Sequence, residues 1–218
     1  MPTIPYKNKA GQRLKGATTL IGQNIGWGKD PLLYWANQQG LAGKSLSESR
    51  DTATVSGTIA HTLIEADLKG LIPVLEKYNQ EDISKAETAY LNYLQWRKQF
   101  EFEPMFIERN LVSEKWQYGG CPDIVGTVQG RWAIVDWKTG RTFESLFVQF
   151  AAYLELIYEN ELIPFVVPVE FHCLRIPKNE DIPSFHHSYW GTLPGGAWEA
   201  FEAALKLSQA KEQLKKLL

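Results

Sequence analysis

Cys121-Pro122-Asp123-Ile124-Val125-Gly126-Thr127-Val128, then Gln129-Gly130, then Arg131-Trp132-Ala133-Ile134-Val135-Asp136-Trp137-Lys138, reads as two strands and the turn between them. Both runs are rich in β-branched and aromatic residues, and Gln-Gly is a hairpin signal. A two-residue loop sets Val128 opposite Arg131 and, counting back along both strands, Asp123 opposite Asp136. A four-residue loop would keep that register; a three-residue loop would shift it by one. Directly opposed residues have Cβ atoms about 4.5–5.5 Å apart, where like charges repel unless a cation lies between them. Lys138 follows Asp136 by two residues and shares its face of the strand, while Trp137 points the other way and leaves its backbone carbonyl near the site's edge. Two carboxylates, a carbonyl and an ammonium on one patch make a hard-oxygen cation site. A structural salt bridge between Lys138 and two surface aspartates would use the same residues, and Asp-X-Lys alone is a common pattern. The apolar neighbours Ile124, Val125, Ile134 and Val135 favour the site, because charge is rarely set beside a core without a purpose.

The hairpin sits mid-chain. Residues 1–29 are rich in Gly, Lys and Thr and read as irregular. Asp30-Pro31 reads as an N-cap and first helical residue, opening a short helix through Gln39. A second helix is expected from Ser47 to about Gly70, with Ile59, Leu63, Ile64 and Leu68 at helical spacing and a break or kink at Ser56-Gly57. A third runs from Glu81 to Phe100. Met105 to Val112 then begins an antiparallel meander that the hairpin completes, with Tyr118-Gly119-Gly120 as punctuation. Glu144 to Glu159 returns to helical period, Phe165 to Ile176 and Phe185 to Trp190 read as strands, and Trp198 to Leu218 as an amphipathic helix. No repeat or low-complexity linker interrupts the 218 residues, so a single domain is expected, with 1–46 as an N-terminal extension, 47–176 as a core and 177–218 as a closing strand and helix.

Hydrophobic content of 44% and charged content of 22% fit a water-soluble globular domain, and nothing approaches a membrane span or a signal peptide. A cytoplasmic location is the expectation. The net charge of −2 lacks the footprint of a protein that coats nucleic acid, though a carboxylate-rich metal site is itself acidic until its cation arrives. Two cysteines, Cys121 and Cys173, supply neither a disulfide framework nor a zinc site.

Four ordered pieces of sequence resemble the RecB-like branch of the PD-(D/E)XK nucleases. Gly57-Thr58-Ile59-Ala60-His61-Thr62-Leu63-Ile64-Glu65 resembles its upstream Gly-Thr-X-X-His-X-X-X-Glu helix. Tyr118 to Gly126 and Ile134-Val135-Asp136-Trp137-Lys138-Thr139-Gly140 resemble its core, and Gln149 with Tyr153 its Gln-X-X-X-Tyr helix. Together they cover His61 to Tyr153; each is modest, but the ordered set is specific. Thr18-Thr19-Leu20 and Leu33-Tyr34-Trp35-Ala36 resemble phage members more loosely. Branch members with an iron–sulfur cluster use four cysteines, so this chain resembles the type without one.

The resemblance implies an α/β fold with a restriction-endonuclease-like αβββαβ core, a small mixed sheet flanked by helices, with extra N-terminal helices and a C-terminal helix. It implies Asp123, Asp136 and Lys138 as the catalytic set. Asp123, Asp136 and the Trp137 carbonyl would hold Mg²⁺ or Mn²⁺, with His61 as a further ligand that favours the softer Mn²⁺. Glu65, one turn beyond His61, stands as either an acidic ligand or a partner behind the ligands. Gln149 and Tyr153 would position the substrate, or merely pack their helix on the sheet. Glu108 matches an acidic residue of the family's first strand and is expected behind the metal ligands. The expected activity is metal-dependent hydrolysis of phosphodiester bonds in DNA, exonucleolytic and in recombination or repair. A structure-specific endonuclease and an inactive nucleic-acid-binding module of the same fold are the alternatives. A homo-oligomer or a recombination-protein partner remains open.

Overall fold

The computed structural model describes residues 5–27, 29–43, 46–178 and 184–217. In chain order its elements are α1 (Ala17–Asn24), α2 (Lys29–Leu41), α3 (Leu46–Lys69), α4 (Gln80–Gln99), β1 (Phe102–Ile107), β2 (Leu111–Ser113) and β3 (Tyr118–Gly120). After these come β4 (Ile124–Val128), β5 (Arg131–Lys138), α5 (Ser145–Glu159), β6 (Glu170–Arg175), β7 (His186–Trp190) and α6 (Ala197–Lys215). A five-stranded mixed sheet runs in the order β1-β4-β5-β6-β7, and β2 pairs with β3 in a separate ribbon. Only β5 and β6 are parallel, as a crossover through the intervening α5 requires. This is the expected α/β architecture.

Hydrophobic alternation along β4 and β5 explains the layering. Ile124, Val128, Ala133, Val135 and Trp137 point to one face, where they meet Ile59 and Ile64 of α3 and Tyr93 and Trp96 of α4. Val125 and Ile134 point to the opposite face, against Phe150, Leu156 and Ile157 of α5, with α1 and Phe201 of α6 completing that layer. Buried on both faces, the central strands read as nearly continuous apolar runs. The β4–β5 turn is a two-residue loop with Gln129 at φ 51 and Gly130 at φ 73, the left-handed pair that matches strand twist. Val128 faces Arg131 and Ile124 faces Val135, which is the register expected from sequence.

α4 begins where Asn79 accepts the Asp82 backbone N–H at 2.8 Å, with Glu81 and Asp82 in its first turn and Arg97 and Lys98 in its last. Trp137 then fixes β5 to this helix, its ring centroid 5.5 Å from Tyr93 and 5.8 Å from Trp96. With Trp137 held there, Asp136 and Lys138 must face α5.

Several expectations need correction. Residues 17–24 form a helix, because Ala17, Leu20 and Ile21 make a one-sided apolar stripe that α5 and α6 cover. α3 runs unbroken through Ser56-Gly57. The strand expected over Met105–Val112 is two strands, because Glu108 adopts φ 46 and turns the chain out of the sheet. Tyr118-Gly119-Gly120 is a strand, not a turn, and Phe165–Val169 precedes β6 instead of belonging to it. The Asp30-Pro31 start falls within α2, whose first residue is Lys29.

Candidate active site

The site lies where β4 begins and β5 ends, between α3 and α5. Asp123 immediately precedes β4, beyond the last Ile124–Val135 pair. Released from the ladder, its Oδ2 accepts the Trp137 backbone N–H at 2.8 Å. The Lys138 carbonyl accepts from Ile176 on the β6 side. Strand alternation therefore aims both the N–H and the carbonyl of Trp137 at the opposite side, where Asp123 stands.

α3 delivers the imidazole. A Cβ on Gly57 would lie 3.1 Å from the Thr139 Oγ1, so the missing side chain lets α3 close on the end of β5. One turn later on the same face, His61 Nδ1 comes within 3.6 Å of Asp123 Oδ1 and 4.0 Å of Glu108 Oε1. One ligand atom from each of His61, Glu108 and Asp123 falls within 4.8 Å of the others. Glu108 therefore stands among the potential ligands and not behind them. Its left-handed backbone is the kind of local strain that collects at functional sites, and its N–H is tied to the Asp123 carbonyl at 2.9 Å. Glu65, by contrast, turns to Lys69 at 2.5 Å, one turn along α3, and does not join the triad.

Asp136 is 1% exposed, so it is not a surface residue in a surface salt bridge. Its Oδ2 lies 2.7 Å from Lys138 Nζ, and its Oδ1 accepts from Gln149 Nε2 at 2.9 Å. The ammonium sits off the hydrogen-bonding direction, leaving the buried Oδ2 without an aligned donor. Lys138 therefore meets this oxygen as an ion pair, and a cation held there would share it with the ammonium. The same Gln149 amide donates to the Tyr153 hydroxyl at 3.1 Å, and Lys138 Nζ reaches the Gln149 Oε1 at 3.4 Å. The two sequence-expected residues of α5 thus join the carboxylate–lysine pair and do more than pack. The candidate groups fall into two adjoining sets: His61, Glu108 and Asp123 on one side, Asp136 with Lys138 and Gln149 on the other.

Electrostatics follow the crowding. Burial works to lower the His61 pKa, but Asp123, then Asp136 and Glu108, outweigh it and raise it to about 9. Burial, Asp123 and Glu65 push the Glu108 carboxyl up to about 7. Asp123 and Asp136 titrate apart. Asp123 is held below the usual carboxylate range because His61, Lys138 and the Trp137 N–H overcome its burial. Asp136 rises to about 6, driven by burial and, against the pull of Lys138, by Asp123. Asp136 and Asp123 likewise outweigh burial at Lys138 and keep its ammonium charged. A nitrogen and several carboxylate oxygens with protons to surrender are a fitting donor set for a divalent cation.

A protein-family model for the PD-(D/E)XK nuclease superfamily matches residues 31–217. The chain belongs to the PD-(D/E)XK nuclease superfamily. That membership makes it a nuclease fold whose members use divalent metal ions on nucleic acid, and it agrees with the mixed sheet and flanking helices. No curated protein matches the chain. Among the described residues, no helix is long and apolar enough to cross a membrane.

Glu108 was the residue that sequence reasoning undervalued. Its signal lay in Glu108-Arg109-Asn110, a polar break inside an apolar run, which marks a turn instead of a continuing strand.

Proposed function

We propose that this PD-(D/E)XK protein is a DNA exonuclease of the RecB-like type, acting in recombination or repair with Mn²⁺ or Mg²⁺. The observation that carries the reading is the His61–Glu108–Asp123 triad standing next to the buried Asp136–Lys138 pair. His61, Glu108, Asp123, the Trp137 carbonyl and the Asp136 carboxylate are the groups that would hold the cation, and the imidazole favours Mn²⁺. A bound divalent cation supplies Lewis acidity toward the scissile phosphate and an ionised water at neutral pH.

The chain's own residues do the rest. Lys138, held by the buried Asp136, puts a fixed positive charge where negative charge grows on the phosphoryl oxygens. Gln149 fixes the Asp136 carboxylate and the Tyr153 hydroxyl in one network, so the lysine and its counter-ion keep their geometry without reorganising. Asp123 is oriented by a backbone N–H, which leaves its Oδ1 directed at His61.

The deciding experiment uses end-labelled linear DNA and circular single-stranded DNA with Mg²⁺, Mn²⁺ or chelator. Linear DNA should be degraded with metal, most efficiently with Mn²⁺, and circles should survive. Cut circles would make the protein an endonuclease. DNA binding without turnover in either metal would make it a binding module and sink the nuclease reading.

A further inference from the structure

We propose that Arg175 is a substrate-contacting residue of this site, its guanidinium gripping the phosphate next to the scissile one and leading the nucleic-acid strand along the sheet edge toward β7. The proposal rests on the nuclease reading above and extends the site to a strand that carries none of the family motifs.

β6 pairs in parallel with β5, and the register sets Asp136 beside Cys173 and Lys138 beside Arg175. On the far side of β6, β7 sets Ser188 beside Cys173 and His186 beside Arg175. Phe171 and Cys173 belong to the core on the α5 side, whereas Leu174 and Ile176 belong to the core on the α3–α4 side. Alternation along β6 therefore puts Arg175 on the α5 side, with Lys138.

This face of the sheet is ordered in rows. Ile134, Phe171 and Trp190 make an apolar row that α5 covers through Phe147 and Phe150. Asp136, Cys173 and Ser188 come next, and Lys138, Arg175 and His186 form the last row. Adjacent strands lie about 4.8 Å apart, so Arg175 starts one strand from the lysine assigned to the chemistry. The carboxyl ends of parallel strands are where open α/β sheets bind ligands, and Lys138 and Arg175 are the last residues of β5 and β6. Both cations reach the same thiol: burial, then Asp136, push Cys173 up to about 12, while Lys138 and Arg175 pull the other way.

Arg175 differs from the other cations of this region in having no counter-charge. Lys69 pairs with Glu65, Lys138 with Asp136, and Arg131, at the opposite end of β5, with Glu170. Arg175 is half-buried and, among the described residues, has neither an ion pair nor a hydrogen bond. Like charges side by side in a sheet repel, so this position is unfavourable until an anion arrives. A phosphate is the fitting anion, because the planar fork of the guanidinium meets two of its oxygens at once. With Lys138 at the scissile phosphate, a cation one strand away falls to the phosphate beside it.

Arg175→Gln removes the charge and breaks no ion pair, so it should melt with the wild type. The Kd of a labelled single-stranded oligonucleotide of mixed sequence, read by fluorescence anisotropy in Ca²⁺, should rise on the order of tenfold, as for hydrogen bonds to a charged acceptor. The slope of log Kd against log salt should fall by about 0.7, the share of one phosphate contact on a single strand. With Mn²⁺ and linear DNA, KM should rise by a similar factor and kcat should change little, the pattern for an interaction made equally in ground and transition states. Arg175→Lys should keep the salt slope and recover part of the affinity, because a point charge remains without the fork. Arg131→Gln controls for net charge and should bind as the wild type does. Folded Arg175→Gln with wild-type affinity and salt slope overturns the proposal, and so does an equal loss in Arg131→Gln. A wild type that binds no oligonucleotide overturns it together with the nuclease reading. Should the wild type bind DNA but not cleave it, the nuclease reading fails while the anisotropy comparison still decides Arg175.

Discussion

At the scale of single residues, the site is a set of charges that would not be stable in each other's company without compensation. Lys138 is the test of the assignment. Its ammonium acts on charge that develops in the transition state, so Lys138→Ala should lose on the order of a hundred- to a thousandfold in turnover at saturating metal. Lys138→Arg should fail as well, because a planar fork cannot copy a compact point charge. Melting curves must accompany the assay, since the variant leaves Asp136 buried without its cation. Near-normal turnover in folded Lys138→Ala would remove the lysine from the chemistry. A second expectation concerns protons. His61 titrates at about 9 and Glu108 at about 7, so at neutral pH the site holds protons that a cation must displace. Metal affinity should therefore climb as pH rises through this range, with between one and two protons released per ion near neutrality, roughly one from His61 and half of one from Glu108. Calorimetry in buffers of different ionisation enthalpy measures that number, and a pH-independent affinity would take His61 and Glu108 out of the ligand set.

Elements place these residues with little slack. β1 and β4 approach so closely that a Cβ on Gly126 would fall 2.2 Å from the Glu103 carbonyl oxygen, beside the irregularity between Pro104 and Phe106. Backbone cannot give way as a flexible side chain can. Gly126→Ala should cost about 3 kcal/mol of unfolding free energy, read from urea midpoints, and should weaken the site by displacing Glu108 at the end of β1. A variant as stable as the parent would mean that the two strands are free to separate there. The hairpin and helices α3 to α5 were legible in the sequence because each carries its own signal: a turn dipeptide, an apolar period, a cap. β2, β3 and the break at Glu108 were not. Three-residue strands have too few alternations to show a period, and they exist only because the ribbon finds α5 to lie on.

Across the whole molecule, a second polar network lies toward the opposite end of β5 and β6 from the metal site. Trp96 Nε1 can only donate, so the His187 Nδ1 it meets at 3.2 Å must accept. His187 Nε2 then carries the proton and donates to His172 Nδ1 at 2.8 Å, and His172 donates in turn to Glu170 at 3.2 Å. Both imidazoles are neutral by construction. Burial, then His172, lowers the His187 pKa to about 4, and burial lowers that of His172 although Glu170 pulls the other way. The unfolded chain binds protons on these residues from about pH 6.5 downward while the folded one does not, so their contribution to stability is lost as pH falls from that value toward 4. His187→Gln keeps a donor and an acceptor but cannot titrate. The variant should therefore lose less stability than the wild type between pH 7 and 4.5 in urea unfolding. Equal losses would show that the network does not govern the acid limb.

The sequence by itself determined the α/β class, the register of the β4–β5 hairpin and the identity of Asp123, Asp136, Lys138, Gln149 and Tyr153 as one neighbourhood. Strand alternation and a two-residue turn bring Asp123, Asp136 and Lys138 together, helical spacing sets Gln149 and Tyr153 on one face, and the resemblance to the RecB-like nucleases is what joined the two sets. Only the tertiary structure decided which acids stand together. Glu108 and His61 meet Asp123 because a left-handed residue ends β1 and because Gly57 lets α3 close on Thr139, and neither contact has a periodic trace in the chain. The N-terminal fold-back was equally hidden. The Tyr6 ring seats on Gly16 and Gly119, two glycines more than a hundred residues apart, and such a contact leaves no local mark in the chain.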